Sequence, residues 1–162
     1  MDQIWAEFKP DLDPCGAREH HYSAWLIEKN GGRFMDGSTP AMDGFNQPWH
    51  CRCAYMNPPY GKEIVKWINK ARQEVWLGNA GMVVALVPAR TDVRWWQDNV
   101  LTGVKRIEFD VTGGFIDRAA MVATQVRFLR GRLKFGDSKN SAPFPSAIVV
   151  WGGAAAKGEE GA

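Results

Sequence analysis

Cys51-Arg52-Cys53-Ala54-Tyr55-Met56, running directly into Asn57-Pro58-Pro59-Tyr60 (CRCAYMNPPY, residues 51–60), is the stretch that decides the fold. Residues 51–56 read as a short strand. Two prolines then stop it: neither can donate to a ladder, and Pro59 holds residue 58 extended. A helix follows after Gly61, where Ile64, Ile68, Ala71 and Val75 form one apolar stripe with Lys66, Lys70, Arg72 and Glu74 off it. Gly78 and Gly81 bracket its end. MVVALV (82–87), bounded by Gly81 and Pro88, is a continuous apolar run, as in a strand buried on both faces of a parallel sheet. Strand, loop, helix and buried strand in that order imply an α/β architecture with a mostly parallel sheet.

Towards the N-terminus, IWAEFKPDLD (4–13) reads as an extended stretch stopped by Pro14 and Gly16. Arg18 to Lys29 reads as a helix ended by Asn30, Gly31 and Gly32, and a Gly/Pro-rich loop then runs to Pro48. Towards the C-terminus, Thr91 is placed to cap a second helix through Val100. KRIEF (105–109), VRFLRGRLKF (126–135) and AIVVW (147–151) read as strands that pair antiparallel. Residues 1–151 are expected to form a single domain and residues 152–162 a flexible tail.

With 162 residues, 45% hydrophobic and 23% charged, the chain suits one globular core. A net charge of +2 permits a nucleic-acid partner without requiring one. The bases are concentrated, however: Arg127, Arg130, Arg132, Lys134 and Lys139 fall within thirteen residues that hold one acid, Asp137. Along one strand they would put several charges on one face, either tracking phosphates or keeping an edge strand soluble. Three cysteines (Cys15, Cys51, Cys53) are an odd number, so a reducing compartment is expected rather than a disulfide framework. No apolar run reaches the ~20 residues needed to span a bilayer. A cytoplasmic protein without a membrane role is the expectation. His50, Cys51 and Cys53 are poorly spaced for zinc, and no metal is expected.

The proline loop carries the chemistry. An amine on a flat heteroaromatic ring delocalises its lone pair and is a poor nucleophile. Two acceptors gripping its hydrogens pull the nitrogen towards tetrahedral geometry and free that pair. The Asn57 side-chain oxygen and the Pro58 carbonyl are candidates, and neither Pro58 nor Pro59 brings a competing N–H. Tyr60 offers a face on which an extruded base can stack. Asp13, Cys15 and Gly16, closing the first extended stretch, suit a nucleoside cofactor, with an acidic acceptor and a glycine that allows close approach. Asp43 is a second candidate acceptor and Trp49 a candidate wall for an adenine pocket. Arg90, just past the buried strand, suits either a substrate contact or an ion pair.

At these residues the sequence resembles the phage and prophage DNA N-6-adenine methyltransferases, a compact Dam-like family. The landmarks are LDPCGA (12–17), DGFNQPW (43–49), NPPYGK (57–62), ALVPARTDVRWW (85–96), GRLKF (131–135) and SAPFPSAIVVW (141–151). The resemblance implies a Rossmann-like class I methyltransferase fold, S-adenosylmethionine as donor and adenine in double-stranded DNA, flipped out, as acceptor. It implies Asn57, Pro58, Pro59 and Tyr60 as catalytic or base-binding, with Asp13 and Asp43 near the cofactor. Two departures stand out: the chain begins where a Thr-Pro-containing segment of such proteins ends, and Asp110 to Gln125 reads as an insertion. The same loop chemistry would also serve a cytosine amine, RNA guanine or a protein glutamine. A silent binding module is a further alternative, although it has little use for an Asn-Pro-Pro acceptor pair.

Overall fold

A computed structural model describes residues 2–16, 26–101, 123–133 and 142–153. In chain order the elements are α1 (Asp2–Phe8), β1 (Leu12–Asp13), a helical turn α2 (26–29), β2 (Arg33–Phe34), β3 (Cys51–Met56), α3 (Ile64–Trp76), β4 (Ala80–Pro88), α4 (Arg94–Trp96), β5 (Ala123–Phe128) and β6 (Ser146–Gly152). One six-stranded sheet runs in the order β2-β1-β3-β4-β6-β5. β1, β2, β3 and β4 are parallel, and β6 is antiparallel to both β4 and β5. This is the mixed α/β sheet expected of a Rossmann-like methyltransferase, antiparallel later strands included.

The apolar run of β4 occupies the middle of the sheet, and Val83, Val84, Ala85, Leu86 and Val87 are all buried. Helix α3 covers one face with Ile64, Ile68 and Ala71, joined by Trp49, Trp96 and Val100. On the other face Ile4 and Trp5 of α1 and Ile27 of α2 pack over Cys53, Tyr55, Leu86 and Ile148. Strand β1 is only two residues long and owes its register to a side chain. The Asp11 carboxylate accepts the backbone N–H groups of Arg52 (3.1 Å) and Cys53 (2.7 Å), doing the work of missing ladder bonds. That sets Leu12 opposite Ala54 and brings the end of β1 level with the end of β3.

Several local readings change. Residues 4–8 are helical rather than extended, as part of α1. Ile4, Trp5 and Phe8 recur at helical spacing, Trp5 packs 4.9 Å from the Tyr55 ring, and the Arg52 guanidinium binds the Phe8 and Lys9 carbonyls at the helix end. Thr91 does not cap α4. Val93, in an extended conformation, precedes its first turn, and the chain widens into a π-helical turn over Gln97–Leu101. Glu74, placed off the apolar stripe, is buried: it pairs with Lys70 (2.6 Å) and accepts the Trp49 backbone N–H (2.9 Å). The basic strand ends at Phe128, because the chain bends at Arg130 and Gly131, whose φ of +77° no extended strand accommodates. β6 runs one residue past the expected domain end, to Gly152. The readings of residues 18–25, KRIEF, most of the 110–125 insertion and the rest of the tail lie outside the described residues.

Candidate active site

From β1 the chain steps outward to β2 on one side of the sheet, and β3 and β4 extend it on the other. Strand order therefore reverses between β1 and β3. A crevice opens past the carboxyl ends of strands at such a point, and open α/β sheets take their ligands there. Asp13-Pro14-Cys15-Gly16 leaves β1 at this crevice and Asn57-Pro58-Pro59-Tyr60 leaves β3. The sheet thus brings together two segments more than forty residues apart in sequence.

Within the proline loop Pro58 is buried, Asn57 is half-buried and Pro59 is exposed. Tyr60 is 40% exposed, yet its hydroxyl points inward. It donates to the Asn57 side-chain oxygen Oδ1 at 3.1 Å and lies 3.5 Å from the Leu86 carbonyl on β4. Burial pushes the Tyr60 phenol up to about 12, so it stays a donor at neutral pH. Tyr55, two residues before Asn57, was not singled out from the sequence. It is buried, and burial, with the nearby Asp13 carboxylate, raises its phenol too. Its period-two placement in β3 was the available signal.

Asp13 is buried, and its carboxylate accepts the Cys15 backbone N–H at 3.0 Å, fixing the turn out of β1. The Cys15 thiol is raised by burial and by Asp13, so it stays protonated at neutral pH and is no activated nucleophile. Asp43 caps its own loop: Oδ1 accepts from the Phe45 and Asn46 backbones and Oδ2 from the Asn46 side chain (2.6 Å). Those bonds, Asn46 foremost, hold its carboxyl below the usual range. The loops of Asp13 and Asp43 interlock. A Cβ on Gly44 would sit on the Pro14 carbonyl oxygen, and one on Gly16 would come within 2.8 Å of the Phe34 Cβ. Asp13, Cys15, Gly16 and Asp43 thus share one end of the sheet with Asn57. Trp49 differs. Its ring is fully buried, and its indole N–H donates to the Gly44 carbonyl (2.6 Å), so it holds the Asp43 loop from beneath.

The basic residues divide. Arg90 is exposed at the carboxyl end of β4, with its guanidinium 5.0 Å from the centre of the Phe144 ring, itself 40% exposed. The Ala89 N–H donates to the Pro145 carbonyl, tying both to the same end of the sheet as Tyr60. Phe144 was visible in sequence only as part of SAPFPSAIVVW. Arg127 instead forms a two-pronged pair with Glu7 of α1, 2.6 Å on one side, and lies over the Phe8 ring. Arg130 and Arg132 are exposed beyond the end of β5. They do not continue one strand face with Arg127. Lys134 and Lys139 lie outside the described residues.

A family model described as DNA N-6-adenine-methyltransferase (Dam) matches residues 28–151. No curated protein and no solved structure matches the chain.

Proposed function

This chain belongs to the DNA N-6-adenine-methyltransferase (Dam) family, and from that premise we propose how a DNA adenine N6-methyltransferase of this build works: its donor is S-adenosylmethionine, its target adenine is turned out of duplex DNA, and Asn57-Pro58-Pro59-Tyr60 performs the transfer. The observation that carries this reading is the strand order, which sets the turn after β1, with Asp13, beside the proline loop after β3.

Bound there, S-adenosylmethionine supplies a methyl group activated by positively charged sulfur. Asp13 and Asp43 serve as acceptors for the donor's polar groups, and Gly16 and Cys15 form the wall. The Asn57 oxygen and the Pro58 carbonyl accept the two hydrogens of the adenine amine and raise its nucleophilicity; as the C–N bond formed, the methyl–sulfur bond would break to leave a neutral thioether, and one amine proton would then pass to solvent. Tyr60 stacks on the base with its exposed face. Arg90 and Phe144 form the rim, where a cation and an aromatic face suit a flanking phosphate or base. Catalysis is by position and preorganised polarity. Arg130 and Arg132, with Lys134 and Lys139, are the candidates for tracking the backbone beyond the site. Among the described residues no helix is long and apolar enough to cross a membrane, and we place the protein in the cytoplasm with its DNA.

Transfer of labelled methyl from S-adenosylmethionine to duplex DNA, followed by digestion to nucleosides, tests this reading. The label should appear in N6-methyl-2′-deoxyadenosine and vanish with Asn57→Ala. Label in a cytosine product, or full activity of a folded Asn57→Ala protein, would overturn the assignment.

A further inference from the structure

An asparagine amide can face a target amine in two ways, and only one helps. With Oδ1 forward it accepts a hydrogen from the amine. Turned over, it presents Nδ2–H₂, two donors opposed to two donors. The faces are nearly equal in size, so packing alone does not choose between them, and a hydrogen-bond partner must. Among the described residues the partner of Asn57 is the Tyr60 hydroxyl, at 3.1 Å from Oδ1. That hydroxyl has one proton and two acceptors within reach, Asn57 Oδ1 and the Leu86 carbonyl at 3.5 Å. The nearer one takes it. Oδ1 keeps a second lone-pair site for the amine.

We propose that the Tyr60 hydroxyl is a positioning group that locks the Asn57 amide with its oxygen towards the target amine, a task separate from the stacking done by the Tyr60 ring. This rests on the role of Asn57 given above and adds a requirement to it. The hydroxyl keeps its proton throughout the neutral range, as the task needs.

A carboxylate has two equivalent oxygens and cannot be turned the wrong way, which gives the test its control. Tyr60→Phe, which keeps the stacking face, should lower kcat by about three- to tenfold and leave KM for DNA within about twofold, the scale of one lost hydrogen bond. In an Asn57→Asp background the same Tyr60→Phe change should cost less than about twofold in kcat. Equal losses in the two backgrounds, or no loss in the wild-type background, would overturn the proposal. Should Asn57→Asp turn over too slowly to measure, the side-chain ¹⁵NH₂ resonances of Asn57, assigned with Asn57→Ala, decide it. Tyr60→Phe should shift and broaden them as the amide samples both orientations, and an unmoved pair would overturn the idea. Neither failure touches the assignment of Asn57, which Asn57→Ala tests alone.

Discussion

On the proposed reading Asn57 supplies an acceptor whose work is done mainly as the amine attacks, so its removal should appear in the rate constant rather than in binding. Asn57→Ala is expected to abolish turnover with the melting temperature and donor affinity preserved, checked by methyl transfer beside a thermal melt and a calorimetric titration. Tyr60→Ala should weaken productive base binding by about 1–3 kcal/mol, and Tyr60→Trp should retain more activity than Ala, as single-turnover assays would show. As candidates these two residues stand out in the sequence because the loop that holds them is a compact motif whose prolines declare it. The place of Trp49 does not. An aromatic residue beside an acidic loop looks the same in sequence whether its ring faces a ligand or the core. What decides is the acceptor for its indole N–H, the Gly44 carbonyl, and no spacing rule reveals it. Asp11 escaped notice for a like reason: its carboxylate replaces ladder bonds in a strand too short to declare itself.

Elements tell a parallel story. The central β3–α3–β4 unit was legible because its periods switch cleanly from strand to helix and back. Helix α1 was not, because seven residues give the apolar pattern of Ile4, Trp5 and Phe8 less than two full turns in which to show a period. Its tertiary partners make it a helix, chiefly Tyr55, Arg52 and Arg127. This separates the arginines that sequence had grouped. Arg127→Gln should lower the melting temperature by loosening α1 from β5 and leave the salt dependence of DNA binding alone. Replacing Arg130 and Arg132 together by Gln should leave the melt alone and reduce the slope of log affinity against log salt by up to ~2 units. Measuring both quantities on both proteins checks the division. An unchanged slope in the double variant would exclude those two residues from the phosphate contact.

For the molecule as a whole, pH sensitivity follows from what the sheet buries. Burial pushes the thiols of Cys51 and Cys53 up to about 12, and Cys15 is raised as well. A thiol raised on folding holds its proton better in the native state. Its stabilising share is therefore complete below the ordinary thiol pKa of about 8.5 and is lost as pH climbs towards the folded value. Denaturant midpoints should hold steady between neutrality and pH 8 and fall above it, and a thiol reagent at pH 8 should react slowly until the protein is unfolded. The strand order that brings Asp13 to Asn57 was legible only as a class, a mostly parallel sheet. The β1–β3 reversal that makes the crevice depends on a pairing of Leu12 with Ala54 that local patterning cannot show.

The backbone contact between Gly44 and Pro14 makes the two loops around the crevice a single heritable unit. An alanine at 44 would press its methyl on the Pro14 carbonyl, an atom that every residue type at position 14 retains. No change of side chain at 14 can make room by itself; the path of the chain must move. Selection for restored methylation in a Gly44→Ala strain should therefore return suppressors that reshape the 13–16 turn, such as loss of the fixed φ of Pro14 or an inserted residue. Changes on the α3 face should not appear, although its first turns lie closer to residue 44 in sequence.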